Sequence, residues 1–348
     1  MYKKPIFFVK CLCLAAFFSA LPVFLYAQAA PGWISNLERA YPSREWVAVT
    51  AQGTSQPQAE SAAMNALARA FRTDVSSLTN ASQAFTQIVD NSQGSRSVNL
   101  TESQNFSQEI NTSTNVSGLL GVQLDVFRDN RGNVHVCARM NRRESAARYS
   151  GMIRENSAII NTLLAAASPA GTFDAYARLS FAHALAQATD SFQNILEVLD
   201  TSAAGRRPGY GGAASIRARM MECASLITIG VAVTTENPQD RTLFTRALGS
   251  FFRDRGFQIN ESGTGNSVLR ANVRFEEIRQ NIFVCRYFID AALTQNGNSV
   301  FSFTENDRRN HPNSNSEARR LSVQAVEESI KEAKFAREFD AWLFTLIE

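Results

Sequence analysis

The sequence predicts an α+β protein, with two small helix-on-sheet domains separated by an antiparallel helical hairpin. Three observations predict it. Apolar residues alternate with a period of two toward both ends of the chain, and each such block is accompanied by a helical stripe. Between them, residues 144–201 carry apolar side chains at three- and four-residue spacing, interrupted once by Pro169-Ala170-Gly171. The two strand-bearing blocks, 30–143 and 220–348, are each of a size that closes its own core.

Residues 1–29 have the three parts of a cleavable secretory signal. Lys3, Lys4 and Lys10 supply the positive start, Cys11 to Tyr26 the apolar run, and Ala27-Gln28-Ala29 the small-residue end. The run is short of the roughly 20 apolar residues that span a bilayer and contains Pro22. Cleavage after Ala29 is therefore expected over retention as an anchor. No other stretch in the chain has spanning length.

Removing the signal takes three lysines and no acid, which leaves 32 basic against 32 acidic side chains. The net charge of +3 belongs to the precursor, and no broad basic footprint for nucleic acid survives. Three cysteines remain, Cys137, Cys223 and Cys285, too few and too scattered for a disulfide framework. A Cys223–Cys285 bridge and buried free thiols are the two alternatives.

In the first domain, "EWVAVTAQG" is apolar on both faces and predicts a central strand. Ser55 with Gln58 makes a capping box ahead of a helix to about Val75, striped by Ala59, Ala63, Leu67 and Phe71. Residues 78–118 are polar overall, yet Val98, Leu100, Phe106, Ile110, Val116, Leu120, Val122, Leu124 and Val126 all fall on even positions, which is strand periodicity. Asp129 to Asn133 turns "VQLDVF" back on "VHVCARM" as a hairpin.

The hairpin's second helix is capped by Thr172 and striped by Phe181, Leu185, Ala188, Phe192, Ile195 and Leu199. The Gly- and Pro-rich stretch within 202–219 reads as a flexible linker. The C-terminal domain reads strand, helix, short strand, three strands near 268–278, 282–294 and 299–304, then one long helix opened by Ser316.

"PGW", Tyr41-Pro42, "WVAVTAQGTS", "AESAAMNALARAF" and the hairpin "LLGVQLDVFRDNRGNVHVCARMNR" give residues 33–143 a recognisable pattern. It resembles the LPP-twenty (twenty-kilodalton lipoprotein) family, and more distantly the N-terminal domain of flagellar assembly protein T. The resemblance implies a bacterial cell-envelope protein with a strand-helix-three-strand fold and a binding or structural role. This chain departs from it in having no lipidation cysteine, since Cys11 and Cys13 open the apolar run instead of closing it.

The sequence nominates no catalytic, cofactor-binding or metal-binding residue. His135, His183 and His311 lack metal-ligand spacing, and "ESGTGNS" at 261–267 precedes a strand, where a phosphate loop would precede a helix. The expectation is an exported, non-catalytic interaction or scaffold protein of the periplasm whose partners are other envelope proteins, with outer-membrane association open. Arg206, Arg207 and Tyr210 are the candidate contact residues. The alternatives are a periplasmic small-ligand binder or enzyme with a pocket between the domains, and a flagellar assembly factor, which normal swimming of a deletion strain would exclude.

Overall fold

The computed structural model describes residues 30–71, 119–203, 206–279, 282–332 and 334–347. It is an α+β fold with two sheets. The expected strands over 98–118 lie outside the described residues.

After two short helices, α1 (Gly32–Ser35) and α2 (Leu37–Ala40), come strand β1 (Trp46–Gly53) and helix α3 (Gln56–Ala70). Strands β2 (Gln123–Arg128) and β3 (Val134–Asn141) then complete an antiparallel sheet of order β1-β3-β2. Among the described residues β3 is thus the central strand, and β1, expected there, pairs on one side only. The difference is physical: β3 buries five of its eight residues, while the second face of β1 ends in exposed Thr50 and Gln52. Helix α3 lies close on the sheet through Ala59, Ala63, Leu67 and Ala68, so close that a Cβ on Gly53 would meet the Ala59 amide at 2.8 Å. Gln58 does reach back over the helix start, but it accepts from Thr54, not from Ser55. Leu124 and Val126, on the apolar parity of β2, stay 39% and 42% exposed.

Helices α4 (Arg142–Ala166) and α5 (Phe173–Leu199) form the hairpin, and the Thr172 hydroxyl accepts from the Ala175 amide at 3.1 Å as the predicted cap. The hairpin does more than separate the domains. Tyr149, Met152, Phe192, Ile195 and Leu199 belong to the core of the first sheet, whereas Ile160, Leu163, Phe173, Tyr176 and Leu185 belong to the core of the second.

The expected linker over 202–219 is only partly that. A single 3₁₀ turn spans Thr201–Ala203, and helix α6 runs Gly212–Ser225, burying Ala213, Ile216, Cys223 and Ala224. Its cap is distant in sequence: the Asp190 carboxylate on α5 accepts from the Ala213 amide at 2.9 Å. Gly212 at φ +83° sits so near that a Cβ would lie 3.3 Å from the same carboxylate. Asp190→Ala is therefore expected to lower stability by about 1–2 kcal/mol, the usual worth of a cap, read as a lower urea midpoint at unchanged slope.

The second sheet has order β5-β4-β6-β7-β8, from β4 (Thr228–Thr234), β5 (Gln258–Asn260), β6 (Ser267–Arg279), β7 (Phe283–Gln295) and β8 (Asn298–His311). Its first three strands in that order are parallel and the rest antiparallel. Helix α7 (Pro238–Asp254) links β4 to β5, and α8 (Asn315–Glu332) and α9 (Lys334–Thr345) stand where one long helix was expected. Ser314, not Ser316, caps α8 by accepting from the Glu317 amide at 3.2 Å. Between the helices and the sheet, Phe251 meets Phe335, and Phe339 meets Phe252 and Phe301, edge to face, with Trp342 tilted against Phe339, each centroid pair contributing beyond its buried area.

Candidate functional site

An open cleft of about 860 Å³ lies where the first sheet domain meets the hairpin. Four segments build it: the turn before β1 (Arg44, Glu45), the start of α4 (Asn141 to Arg154), the end of α5 (Gln193 to Asp200) and the 3₁₀ turn with the chain after it (Ala203, Arg206). Its volume is that of a small-molecule site.

Arg142 holds three of these segments together. Its backbone amide donates to the Glu45 carbonyl at 2.9 Å and its Nε to the Ser43 carbonyl at 2.7 Å. One terminal nitrogen donates to the carbonyls of Val198 and Leu199, which the end of α5 would otherwise leave unpaired. Across the cleft floor, the buried Gln193 amide donates to the Ala203 carbonyl at 3.4 Å and ties the 3₁₀ turn down.

Five guanidinium groups (Arg44, Arg142, Arg143, Arg154, Arg206) face two carboxylates, Glu45 and Asp200. The two acids are engaged already. Glu45 pairs with Arg44 at 3.2 Å, and the Ser202 hydroxyl and amide, with Arg206 nearby, hold the Asp200 carboxyl below the usual carboxylate range. Arg143 and Arg154 are exposed and make no ion pair among the described residues. Arg143 also stands in the first turn of α4, the positive end of a 25-residue helix, where a cation is electrostatically disfavoured. Between the arginines the lining is mostly apolar, Ala146, Ala147, Ile153, Leu196, Leu199 and Ala203, with the Ser150 hydroxyl among them.

No protein-family model matches the chain, and no curated protein matches it either. Solved structures do resemble it in part. A secreted protein of Helicobacter pylori, 12% identical, overlaps 83% of this chain and 99% of its own with a TM-score of 0.36. A minor lipoprotein of Acinetobacter baumannii overlaps 33% of this chain and 92% of its own (15% identity, TM-score 0.24), and a lipoprotein of Neisseria meningitidis 30% and 96% (16%, 0.22). The structural neighbours are thus bacterial lipoproteins and a secreted protein, and overlaps at this level transfer no role. The LPP-twenty likeness remains one of motif alone.

The three predicted contact residues fall apart. Arg206 lines the cleft, and Arg207 pairs with Glu197 at 3.6 Å. Tyr210 is 8% exposed, packed beside Thr189 and Ser157 with its phenol pushed up to about 12 by burial, so it is part of the core and not a contact. Sequence pairs such as Arg142-Arg143 gave no hint that they share a cleft with Arg206.

The Cys223–Cys285 bridge is not formed. Cys223 faces the hairpin turn, where the Gly171 amide donates to its sulfur at 3.4 Å, while Cys285 lies under α8, whose Ser322 hydroxyl donates to the Cys285 carbonyl at 2.9 Å. All three thiols are buried and free. Burial, with the Asp125 carboxylate beside it, pushes the Cys137 thiol up to about 11. At pH 8 about one in a thousand of such groups is thiolate, so alkylation of Cys137 in the native protein is expected at least a hundredfold slower than in urea, followed by mass spectrometry.

On the face of the first sheet away from α3, the Tyr41 hydroxyl donates to Asp125 at 2.5 Å and Arg139 to the same oxygen at 2.8 Å, with the guanidinium over the Tyr41 and Trp46 rings. Burial and that hydrogen bond push the Tyr41 phenol up to about 12. All three polar groups satisfy one another, which marks a structural clasp. His135 likewise spends its Nε2 on Asp129 at 3.2 Å. Among the described residues no three His, Cys, Asp or Glu side chains are grouped to hold a metal ion, and no helix is long and apolar enough to cross a membrane.

Proposed function

We propose that the protein is an exported cell-envelope protein of the periplasm that acts by binding and not by catalysis, with the arginine-lined cleft as its contact site. The signal-like residues 1–29 support export. The single observation that carries the contact site is the pair Arg143 and Arg154, two exposed guanidiniums beside an apolar floor that pair with no carboxylate among the described residues. Like charges gathered in a concave wall raise its potential and draw in an anionic group. The reading differs from the expected pocket between two sheet domains, because the cleft belongs to the first domain and the hairpin.

The test is photocrosslinking in living cells from a benzoylphenylalanine placed at position 147 or 150, two exposed positions on α4 between the arginines. Adducts with an envelope component are expected from both positions and none from position 320, on the exposed face of α8. Identical labelling from all three positions would remove the cleft as a specific site.

A further inference from the structure

We infer that the cleft takes an anionic amphiphile, a phosphate or carboxylate head carried on an aliphatic chain. This deepens the proposed function and rests on it. The spacing along α4 is the first ground. Arg143, Ala146, Ala147, Ser150, Ile153 and Arg154 share one helix face, and the two arginines stand eleven residues apart, roughly 16 Å at 1.5 Å per residue. A guanidinium therefore stands at each end of a short apolar track, with Leu196, Leu199 and Ala203 forming its opposite side and Arg206 a third cation beyond.

The second ground is what the floor can recognise. Apart from the Ser150 hydroxyl its side chains present aliphatic carbon, and the one buried amide, Gln193, donates to the Ala203 carbonyl. A peptide laid along that track would give up water from its backbone donors and acceptors with the Ser150 hydroxyl as a partner, whereas an alkyl chain has no hydrogen bonds to lose. The third is Arg143. A cation in the first turn opposes the helix dipole, and a bound anion reverses that balance by meeting both the guanidinium and the positive helix end. Arg142, its neighbour, has its own role in closing α5; Arg143 makes no ion pair among the described residues.

The test is isothermal titration of residues 30–348 at low salt with dodecyl phosphate below its micelle concentration, compared with dodecyltrimethylammonium and with inorganic phosphate. One-to-one binding of dodecyl phosphate is expected, at least tenfold tighter than either comparison, and weakening as salt rises. Arg143→Gln with Arg154→Gln should cost at least tenfold in affinity while the thermal midpoint holds or rises. Arg206→Gln, outside the helices, gives a second measure of the same loss. Flotation with phosphatidylglycerol vesicles but not phosphatidylcholine vesicles assigns the head to a bilayer lipid, and binding without flotation assigns it to a free amphiphile. No binding, equal binding of inorganic phosphate, or affinity unchanged in the arginine variants overturns the inference. Should an acidic protein crosslink from position 147 while dodecyl phosphate fails to bind, the amphiphile falls and the contact site stands; if neither occurs, both fall.

Discussion

Gly230→Ala is expected to lower the unfolding free energy by about 3 kcal/mol, read as a drop in urea midpoint without change of slope. The reason lies in how the second sheet is wired. β5 and β6 flank β4 and run parallel to it, about 9.6 Å apart across the sheet. The link between them, residues 261–266, must pass over the face of β4 in six residues. It can be so short because the chain leaves β5 at Asn260, level with Gly230, and enters β6 at Ser267, level with Ile229. The crossing brings two backbones together. A Cβ on Gly230 would stand 2.7 Å from the Thr264 carbonyl oxygen, 2.9 Å from its nitrogen and 3.0 Å from the Gly263 carbonyl carbon. None of these atoms can rotate aside, so the link must lift from the sheet or the strand must bow. From the other side Gly263, at φ +71°, would drive a Cβ to 2.8 Å from that of Ala232. Alanine recovers some strand propensity, roughly 0.5–1 kcal/mol, which does not offset the clash. A Gly230→Ala protein as stable as the parent would mean the link does not lie on β4.

That crossing also shows where sequence patterns stop. "ESGTGNS" was legible as a segment leading into a strand, but the partner that demands its glycines, Gly230, sits in another element. The hairpin was legible throughout, because stripe, breaker and Thr172 cap are all local signals. Helix α6 was not. Its opening, "GYGGAAS", reads as loop, and the carboxylate that starts the helix is Asp190, 23 residues away. The cleft fails for the same reason: Arg143 and Arg154 share a face of α4, but Arg206 and the apolar floor reach them only through the antiparallel return of α5, which no spacing rule reports. The β8 strand carried a readable clue that its early expected end at residue 304 concealed. Phe301, Phe303 and Glu305 continue one alternation, so an unbroken strand would have announced an acid facing the core.

Glu305→Ala should then be the most damaging substitution of a charged residue, at about 3–5 kcal/mol. The side chain is 5% exposed and its carboxylate joins three elements. The Tyr287 hydroxyl of β7 donates to it at 3.2 Å, the Ser329 hydroxyl of α8 donates to its other oxygen, and the Lys334 ammonium at the start of α9 donates at 2.8 Å. Lys334 is half-exposed, so its share is screened by water and small. The cost comes from the other two. Tyr287 and Ser329 are buried, and each hydroxyl left without an acceptor costs about 1–3 kcal/mol, with a cavity added. Glu305→Gln keeps the volume and one acceptor oxygen, and about half the loss is expected. Tyr287→Phe removes a donor and strands nothing but a carboxylate still held twice, for about 1 kcal/mol. The order Ala, Gln, then Phe in denaturation midpoints is the discriminating result, and Glu305→Ala within 1 kcal/mol of the parent would refute it. Hydrogen exchange should show the damage first in α9, since Lys334 opens the helix that carries Phe335, Phe339 and Leu343 into the core.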